Sequence, residues 1–135
     1  MKILKELYYN KYSKKSFSIS SVDLIIGRLF SNFNHGIYLD IGCNHPIKYN
    51  NTYLLYKKGW KGINVDLDSE SIKQFNLMRK NDHNVNTLVT SKDNEEKDLY
   101  FYHERSAINT ISKDLAEKRE NKPKKIIKLK GVSIN

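Results

Sequence analysis

Between residues 37 and 91 short apolar runs alternate with stretches of helical spacing, and no other feature narrows the possible folds as far. "IYLDIG" has the pattern of a buried strand opening on a glycine, and "NTYLLYKKG" reads as a helix capped by Asn51 or Thr52 and ended by Gly59. "WKGINVDL" is a second strand, "DSESIKQFNLMRK" a second helix with Ile72, Phe75 and Met78 inward, and "NVNTLVTS" a third strand. Strand, helix, strand, helix, strand predicts an α/β fold with a right-handed parallel sheet.

The flanks are less regular. Upstream, Val22, Ile25, Ile26, Leu29, Phe30 and Phe33 fall at helical spacing; Ser20 with Asp23 suggests a capping box and Gly36 a stop. One apolar stripe means that this helix covers something. Residues 1–19 are basic and rich in tyrosine and read as an arm or short helix packed on a domain of residues 20–135. Beyond Ser91, "KDNEEK" is a charged turn, and "DLYFYH" is a strand that could return antiparallel beside its neighbour. "SAINTISKDLAEKRE" begins as a loop and becomes a polar helix, and "NKPKKIIKLKGVSIN" follows a proline break with an apolar run.

At 135 residues the chain is one domain by length. Its 24 Lys and Arg against 15 Asp and Glu leave a formal charge of +9, which could steer it toward nucleic acid, anionic lipid or acidic substrates. That charge is spread over both ends and most loops, with no compact basic and aromatic platform, so nucleic acid is the least favoured partner. The single cysteine, Cys43, excludes an intramolecular disulfide, and His35, His45, His83 and His103 show no metal-ligand spacing, so no metal is expected. Lys2, Lys5 and Glu6 interrupt the early apolar run, so no signal peptide is expected; "VDLIIGRLF" is too short and too charged to cross a bilayer. A cytoplasmic protein is the expectation.

Ligands of open parallel sheets bind beyond the carboxyl ends of the strands. Asp40, Gly42 and Asn44 follow the first strand, Asp66 and Asp68 the second, and Thr90 and Ser91 the third. Asp66 lies 24 residues beyond Gly42, close to where nucleotide-binding sheets place a carboxylate that accepts from both ribose hydroxyls. An acceptor-only group suits a diol, which presents two donors. Plainer roles stand beside these: Asp40 as a turn cap, Asn51 and Thr52 as helix caps, Trp60 as core packing, His45 as an exposed bystander, Cys43 as a small buried residue.

The literal residues go further. "YLDIGCNHPIKYNNTYLLYKKGWKGINVDLDSESIKQFNLMRK" resembles the opening of the FkbM-type methyltransferases, S-adenosylmethionine-dependent enzymes of the Rossmann-like class I fold. The likeness rests on Asp40, Gly42, Asn44, the run Asn51, Thr52, Tyr53, the run Lys58, Gly59, Trp60, Gly62, and Asp66, and extends over residues 38–118. It implies that Asp40, Gly42 and Asn44 line the methionine part of S-adenosyl-L-methionine, that Asp66 holds the ribose, and that Thr90 or Ser91 approaches the adenine. His45 and Pro46 stand where the commonest family pattern has Asp-Gly, and Pro46 removes a backbone donor there.

By the same resemblance the activity is O-methylation of a small-molecule or sugar acceptor. A hydroxyl nucleophile must lose its proton, and His45, His103 and Glu104 are the candidate bases. The family continues with a fourth strand carrying an Asp-x-Glu-Gly type signature and three more strands, so a sheet truncated after three parallel strands and a hairpin is expected. The first strand then becomes an edge, to be covered by self-association or by the C-terminal "KIIKLKGVSI". Two rivals remain: a cofactor-binding or structural remnant without turnover, and a small basic nucleic-acid-binding protein.

Overall fold

The structure, a computed structural model, describes residues 3–4 and 13–134. The elements, in chain order, are α1 (Val22–Leu29), β1 (Ile37–Ile41), α2 (Tyr53–Lys57), β2 (Lys61–Asp66), α3 (Ser69–Met78) and β3 (His83–Asn86). They continue with β4 (Leu88–Val89), β5 (Glu96–Phe101), α4 (Lys113–Lys118) and β6 (Lys125–Val132). The first six build an α/β layer: β1 pairs with β2 from Ile37 opposite Lys61, β2 with β3 from Ile63 opposite His83, both parallel, in the order β1-β2-β3.

One face of this sheet carries the helices. Tyr38, Leu55 and Trp60 form a core cluster joined by Ile26 of α1, and Cys43, Ile72 and Phe75 form a second beneath α3. Met78, expected inward, is the last residue of α3 and is 46% exposed. The other face is largely bare. Ile37 is 78% exposed, and Leu39, Ile41 and Ile63 on the same side are also exposed, although sheets of this kind normally bury both faces. The α1 stripe is equally incomplete, with Ile25, Leu29 and Phe33 in solvent.

The third strand is shorter than its pattern suggests. The chain leaves the first sheet after Asn86, the Thr87 amide turns back to the Asp66 carbonyl (3.0 Å), and Leu88 and Val89 enter a second sheet. There the order is β4-β6-β5, with β6 parallel to β4 and antiparallel to β5. The returning strand β5 thus pairs with β6 and not with β3. The C-terminal segment is spent in this pairing, so it does not cover β1, which among the described residues has a strand neighbour on one side only. Gly131 permits the arrangement, since a Cβ there would stand 2.1 Å from Thr90 Oγ1.

Three expected caps do other work. Ser21, not Ser20, precedes α1, and it makes no side-chain cap bond. The buried Asp23 instead accepts from Phe17 N (2.7 Å) and Ser16 Oγ (2.6 Å), tying the segment before α1 to the domain. Most of the basic arm expected over residues 1–19 lies outside the described residues. Thr52 precedes α2 without capping it, its hydroxyl being turned into the interior. Gly36 lies well past the end of α1 and makes room for the Trp60 ring, which a Cβ would meet at 2.4 Å. No helix among the described residues is long and apolar enough to cross a membrane.

Candidate functional site

The carboxyl ends of β1 and β2 open into a cleft of about 340 Å³. Its floor is built by the turn after β1. Gly42 (φ 73°) and Asn44 (φ 53°) both adopt left-handed backbone, which glycine tolerates freely and asparagine better than most residues. That path carries the Gly42 and Cys43 amides to the Val65 carbonyl (2.8 and 3.2 Å) and the Asn44 amide to Asp66 Oδ2 (2.8 Å). The other Asp66 oxygen accepts from Asp68 N (2.8 Å), so its carboxylate is fixed from both sides. Two of about four lone-pair positions are used, and the remainder can accept from a ligand.

Asp68 Oδ1 caps α3 through the amides of Glu70 and Ser71, while its Oδ2 accepts from Arg105 N (2.5 Å). This second bond ties the loop after β5 to the mouth of the cleft, where Arg105, Ser106 and Asn109 complete the lining. Across from them stand Asp40, with Thr52 Oγ1 and Asn50 Nδ2 donating to its Oδ2 (2.8 and 3.2 Å), and Ile19 from the N-terminal side. Asp40, Asp66 and Asp68 face one lining cation, Arg105, so the cleft suits a ligand rich in donors or positive charge.

Burial pushes the Asp66 carboxyl up from its ordinary 3.8, against the two backbone amides that favour its charged form. Burial also raises the Cys43 thiol well above its usual value, reinforced by the Asp66 and Asp40 carboxylates, which makes it a packed thiol and not a nucleophile. His45 is held below 6.5 by desolvation and then by the positive charges of Arg105, Lys48 and Arg79. Its Nδ1 accepts from the Ile47 and Lys48 amides (3.0 Å each), so the neutral ring carries its proton on Nε2.

Asp40, Gly42, Asn44 and Asp66 therefore meet in one cleft, as their positions at strand ends predict. Thr90 and Ser91 do not join them. Because the strand changes sheet at Thr87, Thr90 packs on Gly131 and donates to the Lys92 carbonyl (2.9 Å), and Ser91 donates to Glu95 (2.9 Å). Thr87, Leu88 and Val89 occupy the expected place instead, lining a recess of about 130 Å³ on the other side of Gly42 and Asp66. The three candidate bases also lie outside the lining. His45 has its free lone pair committed to backbone, and His103 and Glu104 are exposed, with His103 Nδ1 3.0 Å from the Glu104 carbonyl.

Asn50 and Arg105 are among the lining residues that sequence reasoning missed. Asn50 directly precedes the Asn51, Thr52, Tyr53 run, and its signal would have been a polar residue ahead of a helix. Arg105 has none, because its position depends on how the β5 loop docks. Among the described residues no cluster of three or more His, Cys, Asp or Glu could hold a metal ion. Comparison with family models, with curated proteins and with solved structures finds no match to this chain.

Proposed function

We propose that the cleft binds S-adenosyl-L-methionine and that the protein is a methyltransferase of the FkbM type, of Rossmann-like class I fold, acting on a hydroxyl of a small molecule or sugar. The observation that carries this reading is Asp66, held at the end of β2 by the Asn44 and Asp68 amides and facing the Asp40 turn across one cleft. A ribose diol offers two donors to Asp66, and an ammonium offers donors to Asp40. The excess of carboxylates in the lining suits a ligand whose sulfonium and ammonium outweigh its carboxylate. These residues fit the group.

When bound, the sulfonium supplies an electrophilic methyl group. The protein's part is to hold donor and acceptor in line and to keep Asp66 ionised against its burial. Calorimetric titration of the purified protein should give micromolar binding of S-adenosyl-L-methionine. Asp66→Ala should weaken it at least tenfold, roughly the worth of one hydrogen bond to a charged group. A folded wild-type protein that does not bind would overturn the reading.

A second reading, a cofactor-binding protein without turnover, is favoured by one specific observation: none of His45, His103 and Glu104 lines the cleft. It predicts the same titration with no methyl transfer to any acceptor hydroxyl.

Self-association through β1 belongs to the same proposal. The edge of β1, without a strand neighbour among the described residues, and the exposed Ile37, Leu39 and Ile41 offer both unpaired backbone and apolar surface. Light scattering should show a dimer or larger species that Leu39→Lys returns to monomer, because a strand-edge lysine opposes pairing. A monomeric wild type at high concentration would remove this part.

A further inference from the structure

A fully buried cation stands behind the cleft wall, one hydrogen bond from the lining residue Asn50. Arg79, just past α3, is fully buried and is not among the residues that line the site. Its Nε donates to the Pro46 carbonyl (2.8 Å), Nη1 to Thr52 Oγ1 (2.9 Å) and Tyr38 Oη (3.3 Å), and Nη2 to Asn50 Oδ1 (2.5 Å). Its guanidinium stands 5.0 Å from the Phe75 ring centre and 5.5 Å from those of Tyr53 and Tyr56. A cation needed only for stability could be satisfied by Asp82, 3.8 Å away. Three of these four hydrogen bonds go instead to the 46–52 segment, which leads from the cleft to α2.

The direction of the bonds matters more than their number. Arg79 has donors only. Together with the Thr52 amide, which also donates to Asn50 Oδ1 (2.9 Å), it fixes which end of that side chain faces away, leaving Nδ2 to donate to Asp40 Oδ2 (3.2 Å) and the Cys43 carbonyl (3.3 Å). By donating to the Thr52 oxygen it leaves that hydroxyl's single hydrogen for one of two acceptors, Asp40 Oδ2 (2.8 Å) and Asn50 Oδ1 (3.0 Å), of which the carboxylate oxygen is the nearer and the charged one. Both neighbours are thus turned into donors toward the same carboxylate oxygen, and Asp40 Oδ1 keeps no protein partner among the described residues. We propose that Arg79 is a positioning residue that, acting through Asn50 and Thr52, occupies one oxygen of Asp40 and presents the other to a cationic, amine-bearing ligand end.

This inference rests on the cofactor reading above and assigns the amino-acid end of the ligand to the Arg79 relay, while the nucleoside end depends on Asp66. Lysine keeps the charge but lacks the fork that reaches Asn50 and Thr52 together. The test is calorimetry on the full chain with two probes, S-adenosylhomocysteine, which carries the amine, and 5′-methylthioadenosine, which lacks it. In Arg79→Lys the first should weaken about tenfold, the scale of one hydrogen bond to a charged group, and the second should change less than about twofold.

Equal weakening of both probes, or of neither, overturns the proposal. Should Arg79→Lys fail to fold, Thr52→Val, which cuts one branch of the relay at constant volume, must show the same split at about threefold. Should the wild type bind neither probe, the cofactor reading falls and amide NMR decides the rest. Arg79→Lys must then shift the Cys43, Asn44 and Thr52 amides and spare those of Leu67 and Asp68; a uniform response or none overturns the relay.

Discussion

Asp82→Ala is expected to remove about 3–5 kcal/mol of folding stability, as breaking one side of a buried ion pair does. The Asp82 side chain is fully buried beside Arg79, and it accepts from Tyr38 Oη (2.6 Å), Gly62 N (2.7 Å) and Asn64 Nδ2 (3.0 Å). Alanine would strand all three donors and leave the guanidinium without its carboxylate. Burial, followed by the bond to Asp82, pushes the Tyr38 phenol far above its ordinary 10.0, so it stays protonated and remains a donor across the working pH range. In urea the midpoint should fall by roughly 2 M, taking a slope near 2 kcal/mol per molar. Asp82→Asn, which keeps the shape and one acceptor, should lose about half as much. An alanine variant within about 1 kcal/mol of the wild type would mean that the interior around Arg79 is far wetter than the structure has it.

Gly62→Ala should cost about 3 kcal/mol, the upper part of the range for overpacked interiors. A Cβ at position 62 would sit 2.1 Å from Tyr38 Cε2 and 2.3 Å from Cζ. The ring cannot swing aside, because its hydroxyl is bound to Asp82 and Arg79. In a Tyr38→Leu background the penalty should largely vanish, so the two substitutions will be non-additive in denaturation experiments. Gly27→Ala is the matched control: it lies inside α1, a methyl group there would meet nothing within 4 Å, and the change should stabilise by about 0.5–1 kcal/mol. Equal effects at positions 27 and 62 would contradict the packing described for Tyr38.

The order of β1, α2, β2 and α3 is legible because each element announces itself locally. "IYLDIG" and "GINVDL" are apolar runs of strand length, and Gly42 and Gly59 (φ 73° and 95°) mark turns that other residues strain to make. The strand-end rule then brings Asp40, Gly42, Asn44 and Asp66 together without further information. What stayed hidden depends on partners distant in sequence. The run from Asn84 to Val89 has one continuous strand pattern, and only the competition between β2 and β6 for its halves explains the break at Thr87.

Arg79 looks like an ordinary charged residue at a helix end. Its burial depends on acceptors at positions 38, 46, 50 and 52, which no local pattern assembles. Thr52 and Asp23 carried plausible capping signals and were drawn off by stronger tertiary bonds. His45, proposed as a base on its neighbourhood alone, turns its lone pair to the backbone of its own loop.

The bare face of the first sheet also governs how the protein responds to temperature. Unfolding raises heat capacity mainly through the apolar surface it newly hydrates, at about 12–15 cal/mol/K per residue in ordinary domains. Ile37 is mostly in water when the chain is folded, and Leu39, Ile41 and Ile63 are 40–50% exposed, so together they add less to that change than buried residues would. The isolated chain should therefore have a broad, flat stability curve, and whatever covers β1 will narrow and raise it.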